Sequence, residues 1–310
     1  MSCLKTSENN HTVPIMYEVI PPKADAKEEK IHAQVEKLLR GLEGKAISAI
    51  NIPEILDGPA GGSPAINSPQ KLEPRKYAAF IQALTTTPYE MVINHVVVHQ
   101  PLEVQKTWLQ ESHDLYTIRN FIFVGGAAQD QKYPGPSVND FSKLVSQTHT
   151  VGGILIPHRK EKDTGLHESD RVILKQKNGV SFFTSQVLCE TEETKAFLKS
   201  YATKRNQLGL PPARFFLSFS PIASENDLEF LRRLGVLIPQ EVSTLLLRNP
   251  NQMRLRSIEM AISFFKDIYT FIQDNDLKIP LGVNIEYIMR HNIEASYDMV
   301  SCFEKEIQNL

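Results

Sequence analysis

Short, continuous apolar runs alternate along the chain with longer segments in which apolar residues recur every three or four positions. The first pattern is typical of strands that are buried on both faces, and the second is typical of amphipathic helices. Ile31, Val35 and Leu38 show the helical spacing directly after the first apolar run. The runs predict eight strands, over residues 15–20, 46–52, 91–98, 121–124, 154–156, 180–185, 215–219 and 281–285.

Eight strand–helix units predict an α/β protein built as a single (β/α)8 TIM barrel, with a doubly wound open sheet as the alternative. The 310 residues exceed the roughly 250 that such a barrel typically needs, so the excess is expected in loops. Two of these loops, residues 57–69 and 158–167, are either active-site loops or surface loops. The predicted organisation is a flexible tail over residues 1–13 and one barrel domain over residues 14–310.

Charge and cysteine content narrow the classes of partner. The formal net charge of -2 gives no basic field for nucleic acid or an anionic membrane. No apolar run approaches the roughly 18 residues that cross a bilayer, and the polar N-terminus lacks the apolar core of a signal peptide. The three separated cysteines, Cys3, Cys189 and Cys302, indicate a reducing compartment and form no metal-binding spacing. We therefore expect a cytoplasmic protein without a metal site.

Polar residues recur where the apolar runs end, and in a barrel these strand ends meet at one mouth. Glu18 is the sharpest signal, because an ionised carboxylate is costly to bury inside the segment Ile-Met-Tyr-Glu-Val-Ile. Burial would raise its pKa and keep it protonated near neutral pH, as a general acid requires. The alternative is a structural glutamate paired with an arginine.

Four further residues at strand ends are predicted to bind substrate. The amide of Gln186 donates and accepts hydrogen bonds and could contact the edge of a heterocycle, or it could cap backbone groups at the strand end. Glu286 is also predicted to contact the substrate, and a structural salt bridge is its alternative role. Asn51 and Ser220, at the ends of the second and seventh strands, complete this set.

Cofactor contacts are predicted at His95, Gly125, Gly126, His158 and Lys175. His95 either binds a ligand or is a hydrogen-bonded core residue. The cluster His158-Arg159-Lys160 is either a site for phosphate or carboxylate or a solvated loop. Gly125 and Gly126 would permit close backbone approach to a cofactor, and Lys175 in the predicted helix 168–176 is the last candidate. Motifs for a Rossmann site, a P-loop, a zinc protease and a serine hydrolase are absent from the sequence.

Four segments, in order, resemble the methylenetetrahydrofolate reductase family. Residues 17–23 resemble its E-x-x-P-P-[KR] signature, and residues 152–157, 183–186 and 218–221 resemble its fifth, sixth and seventh strands. The resemblance implies a folate substrate, with 5,10-methylenetetrahydrofolate reduced to 5-methyltetrahydrofolate. It also implies that Glu18 is the general acid and that Gln186 holds the pterin.

The sequence departs from the flavin-dependent members of that family. They carry Arg-Gly-Asp after the fourth strand, where this chain has Gly125, Gly126 and Ala127. Ile156 replaces a tyrosine that stacks on flavin, and no folate-contacting phenylalanine is found near Glu225. The chain is more similar to a flavin-independent branch, which implies NADH or NADPH as the direct hydride donor, with bound FAD as the alternative.

Two other functions stay open from the sequence. The first is a barrel that binds folate or another one-carbon carrier without reductase activity, which the departures at Ala127 and Ile156 favour. The second is an unrelated barrel lyase or methyltransferase, for which the sequence shows no motif. Neither the oligomeric state nor the choice between NADH and NADPH follows from the residues.

Overall fold

Eight parallel strands form a closed barrel in a computed structural model, which describes residues 2–5, 12–56, 70–126 and 132–310. Neighbouring strands are consecutive in sequence, and β1 closes the barrel by pairing with β8. The strands are β1 Ile15–Glu18, β2 Ile47–Pro53, β3 Glu90–Val96, β4 Asn120–Val124, β5 Thr150–Leu155, β6 Phe182–Val187, β7 Arg214–Phe219 and β8 Leu281–Glu286. The predicted (β/α)8 barrel is therefore confirmed.

Helices surround the barrel and pack apolar side chains on the outward faces of the strands. In the described part of the chain, none of them is both long and apolar enough to cross a bilayer. The α-helices are α1 Glu28–Leu42, α2 Pro74–Leu84, α3 Leu102–Asp114, α4 Val138–Val145, α5 Glu161–Thr164, α6 Glu168–Lys177, α7 Glu192–Gln207, α8 Glu225–Arg233, α9 Gln240–Leu247, α10 Met253–Asp274 and α11 Ile293–Ile307. Short 3₁₀ turns precede α10 and α11 at Pro250–Gln252 and Arg290–Asn292.

The fifth strand and the third helix differ most from the sequence prediction. β5 begins at Thr150, four residues before the predicted start, and includes Gly152. A Cβ on Gly152 would lie 2.4 Å from Cζ of Phe182, so this strand needs a glycine where the aromatic ring fills the interior. Helix α3 was not predicted, because two of its three buried residues, Gln105 and Ser112, are polar and weaken the apolar period. The predicted loop 57–69 lies outside the described residues, and the loop 158–167 contains the short helix α5.

Inward-facing side chains are apolar at the lower, N-terminal ends of the strands. They form one cluster on the barrel floor, and alternate positions further along the same strands reach the mouth. The cluster contains Leu4, Met16, Ala49, Val92, Ile122, Phe182 and Phe216.

Residues 2–5 lie against this floor, although the sequence predicts a flexible tail there. Leu4 is 0% exposed, and the hydroxyl of Ser2 and the backbone N–H of Cys3 each donate to the Glu90 carboxylate at 2.5 Å. The apolar floor explains the difference, because Leu4 covers residues that would otherwise face water. Residues 6–11 of the predicted tail lie outside the described residues.

We expect Leu4→Ala to lower the free energy of unfolding by about 2 kcal/mol, because the substitution leaves a void under the barrel. Urea denaturation followed by circular dichroism measures this, with the exposed neighbour Lys5→Ala as the control. Equal stability of Leu4→Ala and Lys5→Ala would show that the segment does not stabilise the floor.

Candidate ligand site at the barrel mouth

Two carboxylates lie side by side where the first and last strands end. Glu18 and Glu286 occupy paired positions on β1 and β8, and Glu18 lies two residues after the inward-facing Met16, so it faces the interior as well. Asn51 Nδ2 donates to Glu18 Oε2 at 2.7 Å, and Asn284 Nδ2 donates to Glu286 Oε1 at 3.0 Å. Asn284 Nδ2 also lies 3.0 Å from Ser218 Oγ, which continues the polar layer onto β7. The closure of the barrel therefore creates a hydrogen-bonded acid pair.

The pair retains a proton near neutral pH. Burial, and then the charge of Glu286, raise the pKa of Glu18 well above its ordinary value, although the amides of Asn284 and Asn51 oppose the shift. Burial raises the pKa of Glu286 to about 7 against hydrogen bonds from Ser218 and Asn284. Two adjacent carboxylates do not ionise together easily, because their like charges repel. Neither carboxylate forms an ion pair with a cation in the described part of the chain, so the arginine partner considered for Glu18 is not found there.

Four side-chain amide oxygens face this region without a hydrogen-bond partner among the described residues. Each is buried, and leaving a buried acceptor unpaired typically costs about 1–3 kcal/mol. A ligand with several N–H donors would satisfy them. These oxygens are Asn51 Oδ1, Asn94 Oδ1, Gln186 Oε1 and Asn284 Oδ1, from β2, β3, β6 and β8.

The opposite side of the mouth is apolar. Val124 of β4 lies two residues after the floor residue Ile122, and Ile154 of β5 lies two residues after Gly152. Both therefore face the interior, and both are half-buried. Ile156, directly after β5, is also half-buried. Acceptors around the mouth, together with an aliphatic wall at β4 and β5, suit a flat heterocycle with a polar edge.

Gln186 and His158 bring the loops after β5 and α8 towards this mouth. Gln186 Nε2 donates to the Leu234 carbonyl at 2.8 Å, while Oε1 of the same amide has no partner among the residues described here. One end of this side chain therefore caps the backbone, and the other is available to a ligand. Burial lowers the pKa of His158, against the charge of Glu190 and a hydrogen bond with the Gly235 backbone.

The two cations after His158 are engaged in ion pairs. Arg159 Nη1 lies 3.3 Å from Oε2 of the buried Glu168. Lys160 Nζ donates to Glu193 Oε1 at 2.5 Å. The sequence suggested that these two cations bind a phosphate or carboxylate of a ligand. In the structure, carboxylates of the protein already pair with both of them.

His95 lies between β3 and α3 and does not face the mouth. Its Nδ1 is 2.9 Å from Glu54 Oε2 and its Nε2 is 2.6 Å from Gln105 Oε1. The imidazole stacks on Trp108, with ring centroids 3.7 Å apart. Both ring nitrogens have protein partners, so the structure matches the core alternative, and the predicted cofactor contact is corrected here.

Lys175 and Ser220 also lie away from the interior. Lys175 Nζ donates to the Ile154 carbonyl at 2.6 Å, which fastens α6 to the outside of β5, and burial lowers its pKa to about 8. Ser220 is buried in a small crevice lined by Met260 and Phe264 of α10. The predicted ligand contacts of both residues are therefore not what the structure shows.

One of the two glycines after β4 has a packing explanation. A Cβ on Gly126 would lie 2.2 Å from the Tyr133 ring, and one on Gly125 would lie 3.5 Å from Val138 Cγ2. Close approach of a tyrosine therefore accounts for Gly126 without a cofactor. Ala127, where the flavin-dependent enzymes have aspartate, lies outside the described residues.

Asn94 and Asn284 join the site, although neither belongs to the predicted binding set. Each follows an inward-facing position by two residues along its strand, and this parity with Val92 and Gly282 is the signal that would have identified them. Among the residues that the structure describes, no group of three or more His, Cys, Asp or Glu side chains is arranged to hold a metal ion.

No protein-family model matches the chain, and no curated protein matches it. Its fold is similar to that of an uncharacterized protein from Clostridium thermocellum, described as binding two copies of 5-methyl-5,6,7,8-tetrahydrofolic acid. The two chains are 21% identical over 96% of this chain and 97% of that chain, with a TM-score of 0.76. Dihydropteroate synthase from Xanthomonas albilineans, solved with 4-aminobenzoic acid, is 11% identical over 96% of this chain and 94% of that chain, with a TM-score of 0.48. At 21% identity, the first similarity shows a shared barrel fold.

We expect Glu286→Gln to be more stable than the wild type at about pH 8, by about 3 kcal/mol, and nearly equally stable near pH 4.5. A raised pKa means that the folded state binds the proton more tightly than the unfolded state. Its stabilising contribution is complete below 4.5 and is lost as the pH rises through about 7. Glutamine does not ionise and avoids this loss.

Urea denaturation across this pH range provides the measurement, and Glu229→Gln on the exposed side of α8 is the control. A stability difference that does not change with pH would contradict the shared-proton description of the acid pair.

Proposed function

We propose that the barrel mouth binds a reduced folate carrying a one-carbon unit, with the pterin ring beside Glu18 and Glu286. The observation that carries the proposal is the set of unpaired amide oxygens next to an acid pair that retains a proton. A reduced pterin has an amino group and ring N–H groups as donors, together with a carbonyl and ring nitrogens as acceptors. The mouth offers the complementary groups for both.

The arrangement of the walls also suits this ligand. Amide oxygens of Asn51, Asn94 and Gln186 would accept from the donor edge of the pterin. Val124 and Ile154 would contact a face of the ring. The acid pair would donate its proton to a ring acceptor, which an ionised pair cannot do.

Two similarities support the proposal. The Clostridium thermocellum protein, which shares this fold over nearly its whole length, is described as binding 5-methyltetrahydrofolic acid. Residues 17–23 resemble the signature of a folate-dependent reductase family, and this segment supplies Glu18. Both similarities are consistent with a pterin at the acid pair.

Isothermal titration calorimetry with 5-methyltetrahydrofolate tests the proposal. We expect the wild type to bind and Gln186→Leu to bind about fivefold more weakly, because Leu cannot pair with the pterin edge. The exposed Gln308→Leu is the matched control and should retain wild-type affinity. A wild type that shows no binding, or a Gln186→Leu variant with unchanged affinity, would contradict the proposed site.

Reduction of 5,10-methylenetetrahydrofolate is the second candidate, and the specific observation that favours it is the pairing of two buried carboxylates, Glu18 and Glu286, at the mouth. Glu18 would protonate a ring nitrogen of the substrate as the adjacent carbon–nitrogen bond breaks and the five-membered ring opens. Glu286 would hold the resulting negative charge on the pair beside Asn284.

Two of the five predicted cofactor contacts, and the two cations that follow a third, His158, are engaged with other protein groups. His95 and Lys175 lie outside the barrel interior, and Arg159 and Lys160 are ion-paired. We therefore place folate binding first and derive no hydride-transfer step. An absorption spectrum of the purified protein tests for bound flavin directly.

Turnover with NADH or NADPH and 5,10-methylenetetrahydrofolate distinguishes the two functions. If the protein is a reductase, Glu18→Gln should lower kcat by about 100-fold or more, because glutamine has no acidic proton to transfer. Its affinity for 5-methyltetrahydrofolate should change less than about threefold, since glutamine still donates a hydrogen bond. A wild type that binds folate but oxidises neither cofactor would exclude the reductase.

A further inference from the structure

A basic cleft opens beside the mouth, between the loop after β1 and the turn before α11. Its volume is about 380 Å³. Four cationic side chains and one carboxylate line it together with Ala26 and Gln34, so the cleft is strongly basic although the whole chain is weakly acidic. The charged residues are Lys23, Asp25, Lys27, Lys30 and Arg290.

The charges of this basic cleft are uncompensated in the described part of the chain. None of its four cations lies within ion-pair distance of a carboxylate there, in contrast to Arg159 and Lys160 on the other side of the mouth. Lys71, whose backbone pairs with that of Lys23, shows the effect. Burial lowers the pKa of Lys71, and the charges of Arg290 and Lys23 lower it further. A bound anion would relieve this repulsion.

The cleft lies close to the acid pair. Lys23 follows Glu18 by five residues, which span at most about 17 Å when fully extended. Glu286 is the last residue of the neighbouring strand β8, and Arg290 follows it by four residues. The Tyr287 hydroxyl accepts from the Ile20 backbone N–H at 3.3 Å and lies within the electrostatic influence of both Glu18 and Arg290.

The spread of the cations indicates the type of anion. Lys27 and Lys30 are one turn apart at the start of α1, and Lys23 and Arg290 lie on two other segments. Separate ammonium groups on flexible stems suit several carboxylates along a chain better than one compact phosphate, which typically binds a converging set of donors.

We propose that the basic cleft binds the γ-linked oligoglutamate tail of the folate whose pterin lies at the acid pair. This inference rests on the proposed function. In a reduced folate, the aminobenzoyl group separates the pterin from the first glutamate. A pterin at Glu18 and Glu286 would direct the carboxylates outwards, and two residues of the cleft, Lys23 and Arg290, follow the strands that carry these glutamates.

The test compares the Kd of 5-methyltetrahydrofolate with that of its triglutamate form by calorimetry at low salt. We expect the triglutamate to bind the wild type about tenfold more tightly, since several exposed charge pairs each contribute modestly. The ratio of the two Kd values should fall to about one in the double variant Lys23→Gln, Lys27→Gln. It should also fall at high salt, which screens exposed charges.

Lys177→Gln with Lys305→Gln is the matched control, because it removes the same charge from exposed sites outside the cleft and should keep the tenfold ratio. Equal affinity of both ligands for the wild type would overturn the cleft proposal and leave the folate site standing. A ratio that persists in the cleft variant would overturn it as well.

Two further titrations show whether the bound carboxylates belong to the folate, and whether a negative result concerns the cleft or the folate site. Tri-γ-glutamate without the pterin should bind at least about tenfold more weakly than the whole ligand, because tethering raises its effective concentration. Equal affinity would make the cleft a site for free acidic chains and would overturn its assignment to the folate tail. Absence of binding by the monoglutamate to the wild type would refute the proposed function itself, and the tail assignment with it.

Discussion

The pairing of the first strand with the last is the constraint on which the site depends. It places Glu18 of β1 beside Glu286 of β8, although the two residues are far apart in sequence. Hydrogen bonds from Asn51 and Asn284 hold the two carboxylates at the upper end of a closed interior, where repulsion and burial together keep a proton on the pair. A protonated carboxyl group is thus available near neutral pH, and both functions considered for this chain would use it.

The barrel interior divides into two zones with different tasks. Apolar residues close the floor, including Leu4 from a segment that precedes the first strand. Amide and carboxyl groups occupy the upper part of the same strands, and several of the amide oxygens have no hydrogen-bond partner within the described ranges of the chain. Apolar packing at one end of the strands stabilises the barrel, and polar groups that can bind a ligand lie at the other end, as is usual for barrels of this type. The basic cleft extends the polar zone outwards past Lys23 and Arg290.

Strand positions were largely predictable, because a short continuous apolar run between amphipathic helical segments is typical of a buried strand. The positions of Gln186 and Glu286 at strand ends also followed from the sequence, since both come directly after such runs. His95 was not, because a residue near a strand end may face either the interior or the helices. Its partners Glu54 and Gln105 come from a loop and from a helix that the apolar period did not reveal.

The sequence by itself determined the eight strands, the barrel class and the unusual carboxylate within the first strand, because hydrophobic periodicity and the cost of burying charge are local properties. Tertiary structure alone decided the partner of that carboxylate. It also decided that Arg159 and Lys160 are paired with Glu168 and Glu193, whereas Lys23 and Arg290 have no carboxylate partner among the residues that the structure describes. The physical reason is that electrostatic and hydrogen-bond energies depend on distances between residues remote in sequence, and only barrel closure and helix packing fix those distances.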